Sequence, residues 1–391
     1  MKNLNERLKH LKERIEHNSI TIMIMGLGSV GLYLLDYILS KNDPSIHVVV
    51  VGRNYEKLEM DVNIVRISAL IRDQNKSIIS IESECDFNNI NDICKCIKKH
   101  SPDFIVNTSR VYSGLKYGSI SWHNFRAYGI WSPLAINFIR NIMSACNMVD
   151  TNAVVINASY SDAVIPWLKN AGHPYPDFGS GNLNHLIPRI KFAASQILKI
   201  NDYWNIDVIF ATAHFHDVVI SKEGQTEGQN PLLSMKYKGK PIVLNETELY
   251  YLCKIPMPVD AKRNMMNASS NFDIIFTIIE ALRNNISKLF HSPGAMGLPG
   301  GYPVRIEGKG KQPQAVIDES VFSLENMILV NKKSLFLDGI ESIEDGILIY
   351  TDILLEKIKK TFSVDLPKQV SFTDINKVAE FIIENIIKKS N

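Results

Sequence analysis

The sequence has almost no excess charge of either sign. Its 43 lysines and arginines stand against 41 aspartates and glutamates, which leaves a formal net charge of +2. A protein that binds nucleic acid by neutralising phosphates needs a strongly basic face. The charge balance therefore argues against a nucleic-acid partner.

Cysteine is scarce, and its positions are scattered. An odd number of cysteines without regular spacing does not indicate a disulfide framework and suits a reducing compartment, so we expect a cytoplasmic protein. Cys94 and Cys96 lie two residues apart in a predicted helix and point in different directions, so we expect no metal site. The cysteines are Cys85, Cys94, Cys96, Cys146 and Cys253.

We also expect neither an export signal nor a membrane span. Residues 1–18 carry charges of both signs and no apolar stretch, unlike a signal peptide. Residues 19–40 are nearly uncharged and as long as a membrane span, but the central glycines and Asp36 fit a strand, a turn and a helix better. We therefore expect no membrane partner. Hydrophobic residues make up 45% of the chain, enough for a large core, which excludes disorder for most of it.

What the sequence does have is a regular alternation of short apolar runs and amphipathic segments. Apolar strands separated by helices are typical of a parallel sheet that is covered on both faces, and right-handed crossovers make such a sheet doubly wound. The predicted fold is α/β, an N-terminal doubly wound Rossmann sheet followed by an α+β catalytic domain. The predicted parts are an amphipathic helix at 1–18, a dinucleotide-binding domain at 19–172 and a substrate-binding, catalytic domain at 173–391.

Several elements can be placed from the apolar pattern. Strands are predicted at residues 21–25, 46–51, 77–81, 104–107 and 153–157. Longer helices are predicted at residues 132–148, at 271–289 after a cap at Ser269 or Ser270, and at 372–389.

A glycine-rich turn follows the first predicted strand and opens a helix. Its first glycine allows the tight turn, the second lets the backbone approach a diphosphate, and the third lets the helix pack on the strand. The N-terminus of the helix offers free N–H groups to the phosphates. We expect the cofactor's diphosphate at Gly26, Gly28, Ser29, Val30 and Gly31.

The end of the second strand indicates which dinucleotide is bound. A site selective for NAD usually has an acidic residue there for the ribose 2′-hydroxyl, but this strand ends in Val51-Gly52-Arg53-Asn54. Arg53 offers a planar donor fork to a 2′-phosphate, and Lys57 follows one helical turn later. We therefore expect Arg53, Asn54 and Lys57 to contact the cofactor, with NADP favoured over NAD. In the alternative, Arg53 stacks on adenine and does not discriminate.

Polar residues end two further strands of the predicted sheet. Asn107, Thr108 and Ser109 follow one strand and are expected to line the cofactor groove. Asn157 ends another strand, where its amide is expected to hold either the cofactor carboxamide or the substrate oxygen.

From about residue 19 to the C-terminus, the order of motifs remotely resembles the lactate/malate dehydrogenase superfamily. An arginine on the loop after the fourth strand is matched by Arg126, with Arg110 as the alternative. The family's Gly-Ser-Gly segment and substrate arginine resemble residues 179–181 and Arg189. Its catalytic His-Gly-Asp segment is similar to residues 214–217 (HFHD), and a hydroxyl residue that opens a later helix is matched by Ser269 or Ser270.

Departures from that family leave the substrate open. His185 occupies the position of the family's catalytic aspartate, and an imidazole cannot stabilise an imidazolium as a carboxylate does. Arg189 is one residue out of register with the family's carboxylate-binding arginine. The pattern is also similar to NADP-binding reductases of the saccharopine and opine type, which implies imine or amino acid substrates.

The resemblance and the residues together predict an oxidoreductase. Reduction of a carbonyl by a nicotinamide needs a proton donor with a pKa near neutrality, which suits His214 or His216, with His214 favoured. His185 is a further site candidate, and Arg126 or Arg189 is expected to hold a substrate carboxylate, with Ser269 or Ser270 beside the substrate.

The predicted function is NADP(H)-dependent hydride transfer between nicotinamide and a small carboxylate-bearing substrate, either a carbonyl or hydroxy compound or an imine or amine. A small molecule is thus the expected partner, and a homodimer or homotetramer the expected assembly. The alternative is a catalytically silent NADP(H)-binding sensor or scaffold, which the missing aspartate favours.

Overall fold

The computed structural model describes residues 1–390. The elements up to residue 179 are α1 (Leu4–Glu16), β1 (Ile20–Met25), α2 (Ser29–Ser40), β2 (Ile46–Val51), α3 (Tyr55–Ile71), β3 (Ile78–Glu82), α4 (Ile90–His100), β4 (Phe104–Asn107), α5 (Gly114–Asn124), α6 (Ser132–Ala135), α7 (Asn137–Met148), β5 (Val154–Asn157), α8 (Ser161–Asn170) and β6 (Phe178–Gly179).

The elements of the remaining chain are α9 (Asn182–Leu198), β7 (Ile206–Ala211), α10 (His214–Glu223), β8 (Leu232–Tyr237), β9 (Lys240–Ile242), α11 (Glu246–Leu252), α12 (Asn264–Arg283), β10 (Ser287–Pro293), β11 (Gly301–Glu307), β12 (Gln314–Ile317), α13 (Leu324–Leu337), β13 (Ile340–Glu344), β14 (Ile347–Tyr350), α14 (Asp352–Phe362), β15 (Gln369–Ser371) and α15 (Ile375–Ile382).

A six-stranded parallel sheet in the order β3-β2-β1-β4-β5-β6 forms the first part of the fold. Every residue of β1 is buried, and alternate residues face opposite cores: Met23 and Met25 belong to one, Ile22 and Ile24 to the other. Helices thus cover both faces, which explains the uninterrupted apolar runs. The predicted Rossmann sheet is confirmed, and its sixth strand lies beyond residue 172.

Three small antiparallel sheets and their helices form the second part of the fold. The sheets have the strand orders β7-β8-β9, β10-β11-β12 and β13-β14-β15. Helix α12 packs along α2, so this part reaches back over the glycine-rich turn. The α+β character predicted for the second half is confirmed. No helix within residues 1–390 is both long enough and apolar enough to cross a membrane.

Helix α1 is held against the parallel sheet by its own apolar stripe and by one buried ion pair. Leu8, Leu11 and Ile15 are buried. The Arg7 guanidinium donates to the carboxylate of Asp177 at 2.7 Å. Both partners of this pair are buried, so loss of either would leave an uncompensated charge in the interior.

Some predicted element boundaries are wrong. Helix α12 begins at Asn264, because a 3₁₀ turn at Ala261–Arg263, capped by the Asp260 side chain, leads directly into it. Ser269 and Ser270 therefore lie inside the helix and do not cap it. The predicted helix at 132–148 is divided into α6 and α7.

Two other helices differ from the sequence pattern. The last helix covers only Ile375–Ile382 and continues as a π-helical turn at Ile383–Ile387. Helix α3 was not predicted, because isoleucines on its exposed side hide the usual contrast between an apolar and a polar face.

Candidate active site

The glycine-rich turn has the geometry expected of a diphosphate-binding turn. Gly26 has a φ of +96°, a region that favours glycine, and a Cβ there would lie 3.0 Å from the Cβ of Ser109. A Cβ on Gly31 would lie 2.4 Å from the carbonyl oxygen of Gly26, so this glycine allows the helix to pack on the turn. A Cβ on Gly28 would meet nothing within 4 Å, which leaves open space where the backbone would approach a ligand.

The first turn of α2 is prepared for an anion in two ways. Gly28 is its N-cap and supplies no side-chain cap, so the first N–H groups of the helix are left for a ligand such as a diphosphate. The Thr108 hydroxyl donates to the carbonyl of Gly26, and the Asn264 amide donates to the Ser29 hydroxyl. These bonds fix the turn from the neighbouring strand and from α12.

The end of β2 places two cations at the surface beside this turn. Arg53 and Lys57 are exposed, and the Arg53 guanidinium has no hydrogen-bond or ion-pair partner among residues 1–390. Asn54 is the N-cap of α3 and accepts from the Lys57 amide at 2.9 Å. The Asn54 side chain thus serves the helix first, whereas Arg53 is available to a ligand.

The two asparagines at the ends of β4 and β5 bind each other. Asn107 donates to the Asn157 amide oxygen at 2.9 Å, and Asn157 donates to the Ser159 carbonyl at 2.9 Å and to the Ser161 hydroxyl at 3.1 Å. Asn157 is fully buried. Sequence reasoning gave its amide a direct contact with cofactor or substrate, but the structure places it in a supporting position. Asn107 also accepts from the Ser109 backbone at 3.1 Å.

A cavity of about 470 Å³ opens beside the turn, between the loop after β5 and the beginnings of α9, α10 and α12. Asn264, which binds Ser29 at the turn, is one of its lining residues. The charged and titratable lining residues other than tyrosines are Arg110, His123, His185, His214, Asp217, Lys222 and Arg263.

His214 is held in this cavity by a buried carboxylate from a distant part of the chain. Its Nδ1 lies 2.8 Å from Oδ2 of Asp338, which is fully buried. Asp338 also accepts from the Tyr160 hydroxyl at 2.7 Å and from the Tyr128 amide at 2.8 Å. The His214 amide opens α10 and donates to the Asp162 carboxylate at 3.0 Å. Both the ring and the backbone of His214 are therefore fixed.

Charge rather than burial decides the protonation of His214. Burial favours the neutral ring, but the carboxylates of Asp338, Asp162 and Asp217 together outweigh it, and the net pKa of His214 is raised above its ordinary value. With Nδ1 bound to a carboxylate, Nε2 is the ring nitrogen left for a substrate, and it has no partner among residues 1–390. Burial raises the pKa of Asp162 to about 6.

The turn before α8 brings Tyr160 onto Asp338. Tyr160 adopts a left-handed conformation with a φ of +44°, which is uncommon outside glycine. Its ring meets the His214 ring edge to face at 5.2 Å between centroids. A strained residue whose side chain contacts the central pair is a feature typical of functional sites.

His216 does not reach the cavity. Its Nδ1 lies 2.7 Å from the Ser334 hydroxyl and its Nε2 lies 3.2 Å from the Thr226 carbonyl, so both ring nitrogens are engaged. Burial lowers the pKa of His216, which keeps the ring neutral. The two histidines stand at the start of a helix and not on a continuing strand, and the structure brings only His214 to the cavity.

His185 lies in the cavity wall and has its own acidic neighbour. Its Nδ1 is 3.6 Å from Oδ2 of Asp217, and its Nε2 has no hydrogen-bond partner within residues 1–390.

Sequence reasoning missed Asp338, since nothing near residue 338 signals it and it stands 124 residues from His214 along the chain. The carboxylate absent at position 185 is supplied by that residue.

The two arginines expected to clamp a substrate lie elsewhere. Arg126 donates to Glu223 at 2.7 Å and also pairs with Glu227, outside the cavity. Arg189 is buried and donates to the carbonyls of Cys253 at 3.0 Å and Ile255 at 3.3 Å. Neither lines the cavity that contains His214.

Three other cationic side chains line the cavity instead. Arg110, the alternative loop arginine, lines it and donates to the Ala158 carbonyl. Lys222 and Arg263 line it as well, and burial lowers the pKa of Lys222.

The two serines expected beside the substrate lie outside this cavity. Ser270 accepts from the Gly181 amide at 2.8 Å and from Asn184 at 2.9 Å, so it supports the start of α9. Ser269 lines a neighbouring groove of about 900 Å³. Ser270 thus joins α12 to the turn at Gly181 through a hydrogen bond.

No family model and no curated protein sequence matches the chain. Solved structures do match it. The malate dehydrogenase of Plasmodium falciparum in complex with NADH has a TM-score of 0.51 and 14% identity, over 81% of this chain and 95% of that one. The malate dehydrogenase of Cryptosporidium parvum has a TM-score of 0.54 and 13% identity, over 81% and 96%. That of Aeropyrum pernix has a TM-score of 0.51 and 12% identity, over 81% and 97%. The expected fold is thus confirmed.

Proposed function

We propose that this chain, which has the fold of malate dehydrogenases, is an NADP(H)-dependent oxidoreductase acting on a small carboxylate-bearing substrate. One observation carries the proposal: the cavity that holds His214 also holds Asn264, which binds Ser29 in the glycine-rich turn. The proton donor therefore lies in a cavity whose wall is joined by one hydrogen bond to the diphosphate-binding turn. That is the arrangement which hydride transfer to a carbonyl or imine carbon requires.

The chain's own residues are suited to hold a nicotinamide dinucleotide. The diphosphate would lie at the backbone of Gly28 and Ser29, where the helix N-terminus is open. Arg53 and Lys57 would hold a 2′-phosphate, which supports NADP over NAD. The bound dinucleotide would supply or accept the hydride.

His214 would exchange the proton that accompanies the hydride. Asp338 fixes Nδ1 and thereby leaves Nε2 to face the substrate oxygen or nitrogen. The same carboxylate stabilises the protonated ring, as an acid catalyst needs. Arg110, Lys222 and Arg263 would hold the substrate's carboxylate in place of Arg126 and Arg189.

The alternative of a catalytically silent sensor loses its main support. That alternative rested on the missing aspartate at position 185, but Asp338 supplies a buried carboxylate to His214 from another element. This pair supports the oxidoreductase over the silent sensor.

A screen of NADPH oxidation tests the proposal. We expect purified protein to oxidise NADPH, followed by absorbance, with at least one member of a panel of 2-oxo acids offered with and without amines. The variant His214→Gln should lose this activity, and His17→Gln, at the exposed histidine that follows α1, should keep it. If neither NADPH nor NADH binds in a titration, the proposal is wrong. Tight binding with no turnover across the panel would favour the sensor.

We also propose that the chain pairs with a second copy through α3. Met60, Ile64, Ile67 and Ile71 recur at spacings of four, three and four residues and are 67%, 61%, 54% and 81% exposed, an unusually large apolar stripe for a solvent-facing helix. The first half of α3 is acidic and the second half carries Arg66. Two antiparallel copies would pair stripe with stripe and opposite charges with each other, as a twofold interface requires.

The compartment proposed for the protein is the cytoplasm. The cysteines of residues 1–390 are all free and buried, which supports a reducing environment.

A further inference from the structure

One wall of the His214 cavity contains polar atoms that nothing in the chain satisfies. The Ser180 hydroxyl, Nε2 of His185 and Oδ1 of Asp217 have no hydrogen-bond partner among residues 1–390. All three residues line the cavity. Because buried polar groups in folded proteins nearly always have partners, these atoms indicate the place of a polar ligand.

Asp217 determines which kind of ligand suits this wall. It is only 7% exposed, and its nearest basic neighbour is Nδ1 of His185, 3.6 Å from Oδ2. That distance is longer than a hydrogen bond. A buried carboxylate without a full partner is costly, so Asp217 favours a cation or a strong donor and disfavours a second carboxylate.

The cavity also holds cations without counter-ions. Lys222 is exposed and packs 4.9 Å from the centre of the Trp122 ring, Arg263 is half-buried, and neither forms an ion pair within residues 1–390. An anionic group of the ligand would satisfy them. The cavity therefore offers a negative group and positive groups to one small molecule.

We infer that the substrate is an amino carboxylate, held by its ammonium or amine at Asp217 and by its carboxylate at Lys222 and Arg263. The inference rests on the proposed function for the role of the cavity, and it selects amine-bearing substrates from the classes considered above. A plain dicarboxylate or hydroxy acid would leave Asp217 unpaired or face it with a like charge.

Matched pairs of small acids test this by isothermal titration at pH 7. One pair is 5-aminopentanoate and glutarate, and the other is 2-aminopentanoate and 2-hydroxypentanoate. Within each pair only the group that would meet Asp217 changes. We expect the amino member of at least one pair to bind about 10-fold more tightly or better, a ratio consistent with one hydrogen bond to a charged group.

Two variants locate the preference. Asp217→Asn should abolish the preference for the amino member, whereas Asp345→Asn, at an exposed turn, should retain it. Arg263→Gln should weaken the binding of 5-aminopentanoate and 2-aminopentanoate, because it removes a cation that would bind the carboxylate of either probe. Persistence of the full preference in Asp217→Asn would overturn the inference.

The unaltered protein decides the question even if a variant fails to fold. Equal or tighter binding of both glutarate and 2-hydroxypentanoate than of their amino partners overturns the inference, as does absence of binding by both amino probes. The titrations are run with and without saturating NADP⁺. Failure of NADP⁺ itself to bind counts against the proposed oxidoreductase, whereas the ratios without it still report on the cavity.

Discussion

The glycine-rich turn and the His214 cavity are built in opposite ways. The turn is local: within residues 26–31 the sequence supplies the left-handed glycine, the open backbone and the close helix contact. The central pair of the cavity joins residues that lie 124 positions apart. A local structure is set by backbone sterics and can be recognised in the sequence, whereas a pair such as His214 and Asp338 depends on how distant elements pack.

Removing the long-range pair should give the largest effect. We expect Asp338→Asn to lower kcat by about 100-fold or more, within the range attributed to general acid–base catalysis, because the ring loses its charge partner and its fixed tautomer. Affinity for NADPH should stay unchanged. Steady-state kinetics and coenzyme titration check both, with Asp345→Asn as the control. Unchanged turnover would show that Asp338 has only a structural role.

Two glycine variants separate the packing role of the local turn from its proposed role in coenzyme binding. Gly31→Ala places a methyl 2.4 Å from the Gly26 carbonyl oxygen and should destabilise the fold by about 1–3 kcal/mol, as overpacking does. Gly28→Ala meets nothing within 4 Å, so its melting temperature should match the parent while coenzyme affinity falls. Calorimetry and coenzyme titration measure the two quantities. Full affinity in Gly28→Ala would mean that no diphosphate approaches that backbone.

The proposed preference for NADP depends on one exposed guanidinium, that of Arg53. We expect Arg53→Ala to weaken the binding of NADPH by about 10-fold or more relative to that of NADH, because one charge-assisted contact to the 2′-phosphate is lost. The control is Lys309→Ala, at an exposed lysine of the loop after β11. Equal losses for both coenzymes would refute the 2′-phosphate role.

The pH profile reports on His214 and the carboxylates around it, of which Asp338 acts most strongly. Because Asp338 raises the pKa of His214, the protonated ring persists above its ordinary value, and kcat/KM for reduction should fall only as the pH rises through that raised pKa. In Asp338→Asn only the more weakly acting Asp162 and Asp217 still oppose burial, so the fall should move to lower pH. An identical profile in both proteins would contradict the assignment of His214 as the acid.

An interface variant should leave the turn and the cavity unaffected. Ile64→Glu places a charge in the apolar stripe of α3 and should convert a dimer to a monomer, measured by light scattering with chromatography. The coenzyme affinity of Ile64→Glu should equal that of the parent protein. A parent protein that is monomeric at micromolar concentration would contradict the α3 interface.

The sequence predicted the parallel sheet and the glycine-rich turn because periodicity and backbone sterics are local. It predicted His214 from its place after a strand, but it could not distinguish it from His216 with certainty, since the difference lies in Ser334 and Thr226. Asp338 escaped prediction because a lone aspartate after a helix usually has no more than a local role. Arg126 and Arg189 were misplaced for the same reason, as their partners come from other elements.

Asp338 follows both the glycine-rich turn and His214 along the chain, and this order has a consequence for biosynthesis. The strands that surround the glycine-rich turn leave the ribosome first, and domains generally fold as they emerge. The residue that charges His214 arrives only with the segment after α13. A nascent polypeptide would thus be able to bind the proposed coenzyme before residue 338 is synthesised, and we expect turnover only after Asp338 has reached His214.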